Sequence, residues 1–152
     1  MYNKIMVPLD GSPLAECVFP HLEAFARGCG TKSVIFIRAV DHIGLHPAWE
    51  YTPTKQERES AEKKIKADAE NYLKQIVSRI KYDGVEVKSE VITGRAADVL
   101  ADYAARNGVD LIIMATHGRS GISRLAMGSV AQRVSQSACV PVLLVRSPEC
   151  KV

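Results

Sequence analysis

No glycine in this 152-residue chain is followed by lysine. The Gly-Lys-Ser/Thr of a Walker A phosphate loop is therefore absent. No Gly-x-Gly-x-x-Gly follows the first strand-like run either, where Asp10-Gly11-Ser12-Pro13 stands instead. Both a P-loop ATPase and a dinucleotide dehydrogenase are disfavoured on these grounds. The four cysteines, Cys17, Cys29, Cys139 and Cys150, form no Cys-x-x-Cys and have no histidine at metal-binding spacing. A core of this size needs no disulfide staples. Cys17 and Cys139 stand in apolar contexts, so buried free thiols and a cytoplasmic location are expected, with Cys150 exposed. Neither sign of charge dominates, with 20 Lys and Arg against 17 Asp and Glu. That disfavours a polybasic nucleic-acid arm or an acidic tail, and no nucleic-acid partner is expected. No apolar run approaches the roughly 20 residues that span a bilayer, so no membrane role is expected. The opening Met-Tyr-Asn-Lys-Ile-Met-Val-Pro has no long apolar signal region and reads as a first strand.

What remains is the mix of a soluble globular protein, 47% hydrophobic and 24% charged, with a length that suits one domain over residues 1–152. Apolar runs alternate with helical periodicity. Lys4 to Leu9 reads as a short buried strand. Pro13 suits the first turn of a helix carrying Leu14, Cys17, Val18, Leu22, Phe25 and Ala26, with a kink or late restart at Pro20. Ser33 to Val40 is a second strand. Residues 41–60, with Pro47, Pro53, Trp49 and Tyr51, lose the pattern, as lids and binding loops do. A long amphipathic helix is expected over Gln56 to Lys81. Val85, Val87, Val91 and Ile92 mark a third strand whose alternation suggests a sheet edge. A helix from Ala96 ends at Asn107-Gly108. Asp110 to Ala115 is the most apolar strand. A glycine-rich loop, Thr116 to Ser129, leads to a last helix carrying Val130, Val134 and Ala138, and Pro141 to Val145 forms a fifth strand. Apolar strands joined by crossover helices predict a three-layer α/β/α sandwich with a five-stranded parallel, doubly wound, Rossmann-like sheet.

In such a sheet ligands bind beyond the strands' C-terminal ends, where the strand order reverses. The segments to inspect are Asp10-Gly11-Ser12, Asp41-His42, Gly94-Arg95 and the loop from Thr116 to Ser129. In that loop Gly118, Gly121 and Gly128 permit positive φ and close main-chain approach to a ligand. Ser129 would cap the next helix, whose amide groups and dipole favour an anion. Arg119 and Arg124 could add charge. A phosphate cradle and a flexible turn both fit these residues. Asp10 fits either a ligand contact or a helix cap. His117 has no nucleophile with an orienting acid beside it in sequence, so it reads as a loop-packing or phosphate-adjacent residue. His42 and His46, spaced i, i+4 beside Asp41, read as a solvated loop rather than a metal site. Trp49 and Tyr51 suit either a cover over a bound base or a contact with a partner subunit.

The chain resembles the universal stress protein family. The match is carried by Ile5-Met6-Val7-Pro8-Leu9-Asp10-Gly11-Ser12, by Met114-Ala115-Thr116-His117-Gly118-Arg119-Ser120-Gly121, and by Gly128-Ser129-Val130 followed by Cys139-Val140-Pro141-Val142. Nucleotide-binding members of that family show Gly-x-x-Gly, nine residues, then Gly-Ser/Thr. Here Gly118, nine intervening residues and Gly128-Ser129 fit, with Ala115 in place of the first glycine. If φ at Ala115 were positive, the alanine would cost roughly 1–2 kcal/mol.

The resemblance implies an ATP-binding regulatory protein of the stress response, with ADP or AMP as alternative ligands and Mg²⁺ or Mn²⁺ as counter-charge. Asp10, beside Pro8, would accept a hydrogen bond from the adenine or ribose. Ala39 and Val40 would offer backbone groups to the adenine edge, and Met114 would be a further nucleotide-binding residue. Gly118 and Arg119 would approach the phosphates by main chain, and Gly128, Ser129 and Val130 would hold them. It also implies a homodimer through Pro141 to Val145, and a protein partner would read the nucleotide state. Turnover is expected to be slow or absent, a weak ATPase at most. Two other functions remain open: an interaction module in which Ala115 marks a lost nucleotide site, and a phosphotransferase or hydrolase using His117 or Asp10.

Overall fold

The computed structural model describes residues 2–42, 54–117 and 127–146. Its strands are β1 (Lys4–Pro8), β2 (Ser33–Val40), β3 (Glu86–Thr93), β4 (Leu111–Ala115) and β5 (Val142–Val145). Its helices are α1 (Phe19–Gly28), α2 (Lys55–Arg79), α3 (Ala96–Arg106) and α4 (Ser129–Ser137). The strands are all parallel, in the order β3-β2-β1-β4-β5. Sequence order runs outward from β1 to β3 on one side, then restarts at β4 on the other. The reversal lies between β1 and β4.

Each sheet face buries its own core, as the apolar runs predict. Alternate residues point to opposite faces, so Val34 and Phe36 join Ile5, Val7, Leu22, Leu73 and Ile76 on one side. Ile35 and Ile37 join Met6, Leu100, Ile112 and Val134 on the other. Thus α1 and α2 cover one face, and α3 and α4 cover the other. The edge strand β3 carries exposed Glu86, Lys88, Ser89 and Glu90, which accounts for its alternation.

Several local expectations change. The first helical segment begins as a short 3₁₀ turn, Ala15–Val18, and becomes α-helical at Phe19. Pro20 therefore stands within the first helical turn, where its missing N–H costs nothing, and the late restart is what forms. The start of α2 is fixed by a capping box that the sequence reading missed. Thr54 Oγ1 accepts from the Glu57 N–H at 3.2 Å, and the Thr54 N–H donates to Glu57 Oε2 at 2.7 Å. Residues 54–60 thus belong to α2 and its cap rather than to the irregular stretch. Cys139 is exposed, not buried, because it lies in the bend between α4 and β5. Cys17 and Cys29 are half-buried. Among the described residues no helix is long and apolar enough to cross a membrane.

Candidate functional site

A cleft of about 280 Å³ opens where the strand order reverses, at the C-terminal ends of β1, β2 and β4. Ile37 and Ala39 of β2 and Met114 and Ala115 of β4 line its sheet side. Ala96 and Leu100 of α3 add an apolar wall. Pro8, Leu9 and Asp10 form one rim, and Thr116, His117 and the first residues of α4 form the other. The walls that the sheet and α3 supply to this cleft are apolar, and Asp10, Thr116, His117 and Ser129 supply its polar side chains. That division suits a ligand with an aromatic base and an anionic group.

Part of the polar lining is built by the start of α4. Gly128 occupies the cap position, and Ser129 is the first helical residue, so the expected Ser129 cap does not form. No side chain among the described residues caps this helix. The first intrahelical bond runs from the Gln132 N–H to the Gly128 carbonyl at 2.9 Å. The preceding amides, of Ser129, Val130 and Ala131, belong to residues lining the cleft. The N–H groups of a helix's first turn have no intrahelical acceptor, and the helix dipole favours an anion there.

Gly128 has a different role from the one its sequence suggests. Its φ is −58°, open to any residue, so left-handed geometry is not what requires glycine. A Cβ at Gly128 would stand 2.8 Å from the Thr116 carbonyl oxygen, which accepts the Gly128 N–H at 2.8 Å. Glycine is needed for this close approach of two backbones. The Gly128 amide is therefore engaged within the protein. Ala115 is the last residue of β4, and no non-glycine residue among those described has positive φ. The alanine in the motif's first position carries no backbone strain.

Asp10 is held in the turn after β1 and does not itself cap the helix. Its Oδ1 accepts from the Ser12 N–H at 2.9 Å and from the Ser12 hydroxyl at 2.6 Å. The Ser12 Oγ in turn accepts the Ala15 N–H at 3.3 Å, so Asp10 supports the helix start at one remove. Asp10 also lines the cleft and is half-buried. His117 is held at its rim, with Nδ1 3.0 Å from Thr116 Oγ1.

Of the residues singled out from the sequence, Pro8, Asp10, Ala39, Met114, Gly128, Ser129 and Val130 come together around this cleft. Val40 does not. It lines a second hollow with Asp41, His42 and Thr93, and its carbonyl accepts the Gly94 N–H at 2.9 Å. Gly118, Gly121, Arg119 and Arg124 lie outside the described residues, as do His46, Trp49 and Tyr51. Ile37, Ala96, Leu100 and Ala131 were missed as lining residues, because in sequence they are indistinguishable from core positions.

A model of the universal stress protein family matches residues 1–146. The chain belongs to this family. Among its relatives, the universal stress protein MJ0531 of Methanocaldococcus jannaschii is 33% identical, across 98% of this chain and 85% of that protein. MJ0577 of the same organism is 27% identical, and its solved structure superposes with a TM-score of 0.79 over 96% of both chains. A universal stress protein family member from Arabidopsis thaliana with AMP bound shares the fold at TM-score 0.63 and 16% identity, covering 95% of this chain and 92% of its own. A universal stress protein in complex with cAMP does so at 0.58 and 20%, covering 96% and 98%.

Proposed function

We propose that this universal stress protein binds an adenine nucleotide in the cleft between β1 and β4, and acts as a nucleotide-dependent regulator rather than as an efficient enzyme. One observation carries the reading: the first turn of α4, capped by no side chain among the described residues, lines the same cleft as the apolar sheet ends and the Asp10 carboxylate. The base would lie against Ile37, Ala39, Met114 and Leu100. Asp10 would accept from the ribose or the base. Phosphate oxygens would take the Ser129, Val130 and Ala131 amides, with Gly118 and Arg119 completing the cradle. The family members with AMP and cAMP bound support an adenine nucleotide as the ligand class.

ATP, ADP and AMP differ here in how many phosphates must be neutralised. Mg²⁺ or Mn²⁺ would enter with the nucleotide. Asp10 is the single carboxylate among the described lining residues. Among the described residues no cluster of three His, Cys, Asp or Glu could hold a metal. We place the protein in the cytoplasm as a homodimer paired through β5, with a protein partner that reads the filled or empty cleft.

Calorimetry and thermal shift with ATP, ADP, AMP and cAMP test the reading. A ligand at a hundred times its Kd stabilises the fold by about 2.7 kcal/mol, a clear rise in Tm. No heat and no shift at millimolar nucleotide would defeat it. Native mass spectrometry gives a second check: co-purified nucleotide supports it, while an empty protein bound to another polypeptide favours an interaction module. Phosphate release should be slow or absent and unchanged by His117→Ala. A fast rate lost on that substitution would favour a hydrolase.

A further inference from the structure

The turn that carries Asp10 is backed by a charged side chain from the next strand. Gly11 has φ +83°, and a Cβ there would stand 2.9 Å from Arg38 Nη1, 3.1 Å from Cζ and 3.3 Å from Nη2. The guanidinium therefore rests against the bare face of Gly11. Arg38 alternates with Ile37 and Ala39, which line the cleft, so its side chain leaves β2 on the α2 face. There its Cζ lies 5.4 Å from the centre of the Tyr72 ring, a cation–π stack. The Tyr72 hydroxyl donates to Glu16 Oε1 at 3.1 Å, and Arg79 Nη2 donates to Glu16 Oε2 at 3.0 Å. The charges of both Asp10 and Arg38 are felt at the Tyr72 hydroxyl, the first raising its pKa and the second lowering it. The turn at Gly11, Arg38 and Tyr72 thus form one cluster next to Asp10 on the rim of the cleft.

We propose that Arg38, held by Tyr72, is the positioning residue of the Asp10–Ser12 turn, and through it sets the nucleotide contact made by Asp10. The nucleotide half rests on the function proposed above. The chemistry requires arginine's planar, permanently charged head. It rests against Gly11 and over the Tyr72 ring at once, and its charge, beside the turn that carries Asp10, pulls on that carboxylate. Asp10 is thereby aimed while its Oδ1 serves the Ser12 amide. A neutral side chain at position 38 would fill the space without that pull.

The experiment compares Arg38→Met, Arg38→Lys and Asp10→Asn, alone and combined, by AMP and ATP calorimetry and by amide exchange in the ligand-free protein. Arg38→Met should weaken binding about tenfold while the protein remains folded by circular dichroism, and Arg38→Lys should recover part of the loss. In the Asp10→Asn background the Arg38→Met loss should largely vanish, because the two act on one contact. Without ligand, the Ser12 amide should exchange several-fold faster in Arg38→Met, with core amides of β1 and β4 unchanged. Additive binding losses, or a wild-type rate at Ser12, would overturn the proposal. A wild-type protein that binds no adenine nucleotide would sink the nucleotide reading, and the Ser12 exchange would still decide the brace.

Discussion

The Gly128 N–H donates to the Thr116 carbonyl at 2.8 Å, and a Cβ on Gly128 would meet that same oxygen at 2.8 Å. This contact joins the end of β4 to the start of α4 and fixes where the first helical amides stand relative to the sheet. The Thr116 N–H donates to the Val145 carbonyl at 2.8 Å, so the β4 side of the neck is itself anchored to β5.

Gly128→Ala should therefore damage the protein through crowding rather than through backbone conformation. Overpacking of this kind costs about 1–3 kcal/mol, and the neck must widen. We expect a lower Tm together with weaker nucleotide binding, measured by thermal melts and calorimetry. An alanine variant with wild-type Tm and affinity would show that the close approach is not needed.

Gly11 and Gly84 offer a contrast. Both have positive φ, 83° and 75°, but a Cβ at Gly84 would meet nothing within 4 Å, whereas one at Gly11 would press on the Arg38 guanidinium. Each alanine substitution should cost about 1–2 kcal/mol of backbone strain. Only Gly11→Ala should also move Arg38 off Tyr72 and weaken nucleotide binding. Equal effects of the two on affinity would contradict the cluster next to Asp10.

Tyr72, Tyr82 and Tyr103 all resist ionisation, chiefly through burial. The Glu16 charge adds to the effect at Tyr72, and the Glu23 charge at Tyr82. At Tyr103 a 2.7 Å hydrogen bond to Glu90 helps push the value up to about 12. Unfolded tyrosine ionises near pH ~10. The native state therefore keeps phenolic protons that the unfolded chain has released. This contribution is whole below about pH 10 and drains away as the pH climbs through the folded values. Stability should fall from about pH 10 upward. Ultraviolet titration of the native protein should show Tyr103 ionising late, and Glu90→Gln should bring it earlier. A single step near pH ~10 for every tyrosine would refute this.

The fold was legible because burial on both faces leaves long apolar runs. Ile5 to Leu9, Val34 to Ile37 and Leu111 to Ala115 are continuous stretches of buried residues. The exposed edge β3 gave itself away by alternating charge. The rim residues Pro8 and Asp10 and the helix start at Gly128-Ser129 were legible by position after a strand or before a helix. Two things were not. The role of Gly128 depends on a backbone meeting across the loop between β4 and α4, and periodicity carries no such distance. The Arg38–Tyr72 stack joins residues on different elements, and neither side chain is unusual in its own segment.

The β5 edge gives a prediction about assembly. The Ile112 N–H donates to the Pro141 carbonyl at 3.0 Å and the Thr116 N–H to the Val145 carbonyl at 2.8 Å. Main-chain groups alternate sides along a strand, so those of Val142 and Leu144 point away from β4, toward the outer edge of the sheet. An apolar edge left bare invites pairing with another chain, and Pro141 already suits a position that needs no donor. Leu144→Pro removes one outward N–H and leaves the bonds to β4 in place. We expect the wild type to sediment as a dimer and Leu144→Pro as a folded monomer, with a small loss of Tm from the lost partner. A wild-type monomer would end the β5 pairing outright. A dimer that survives Leu144→Pro would place the interface on another surface.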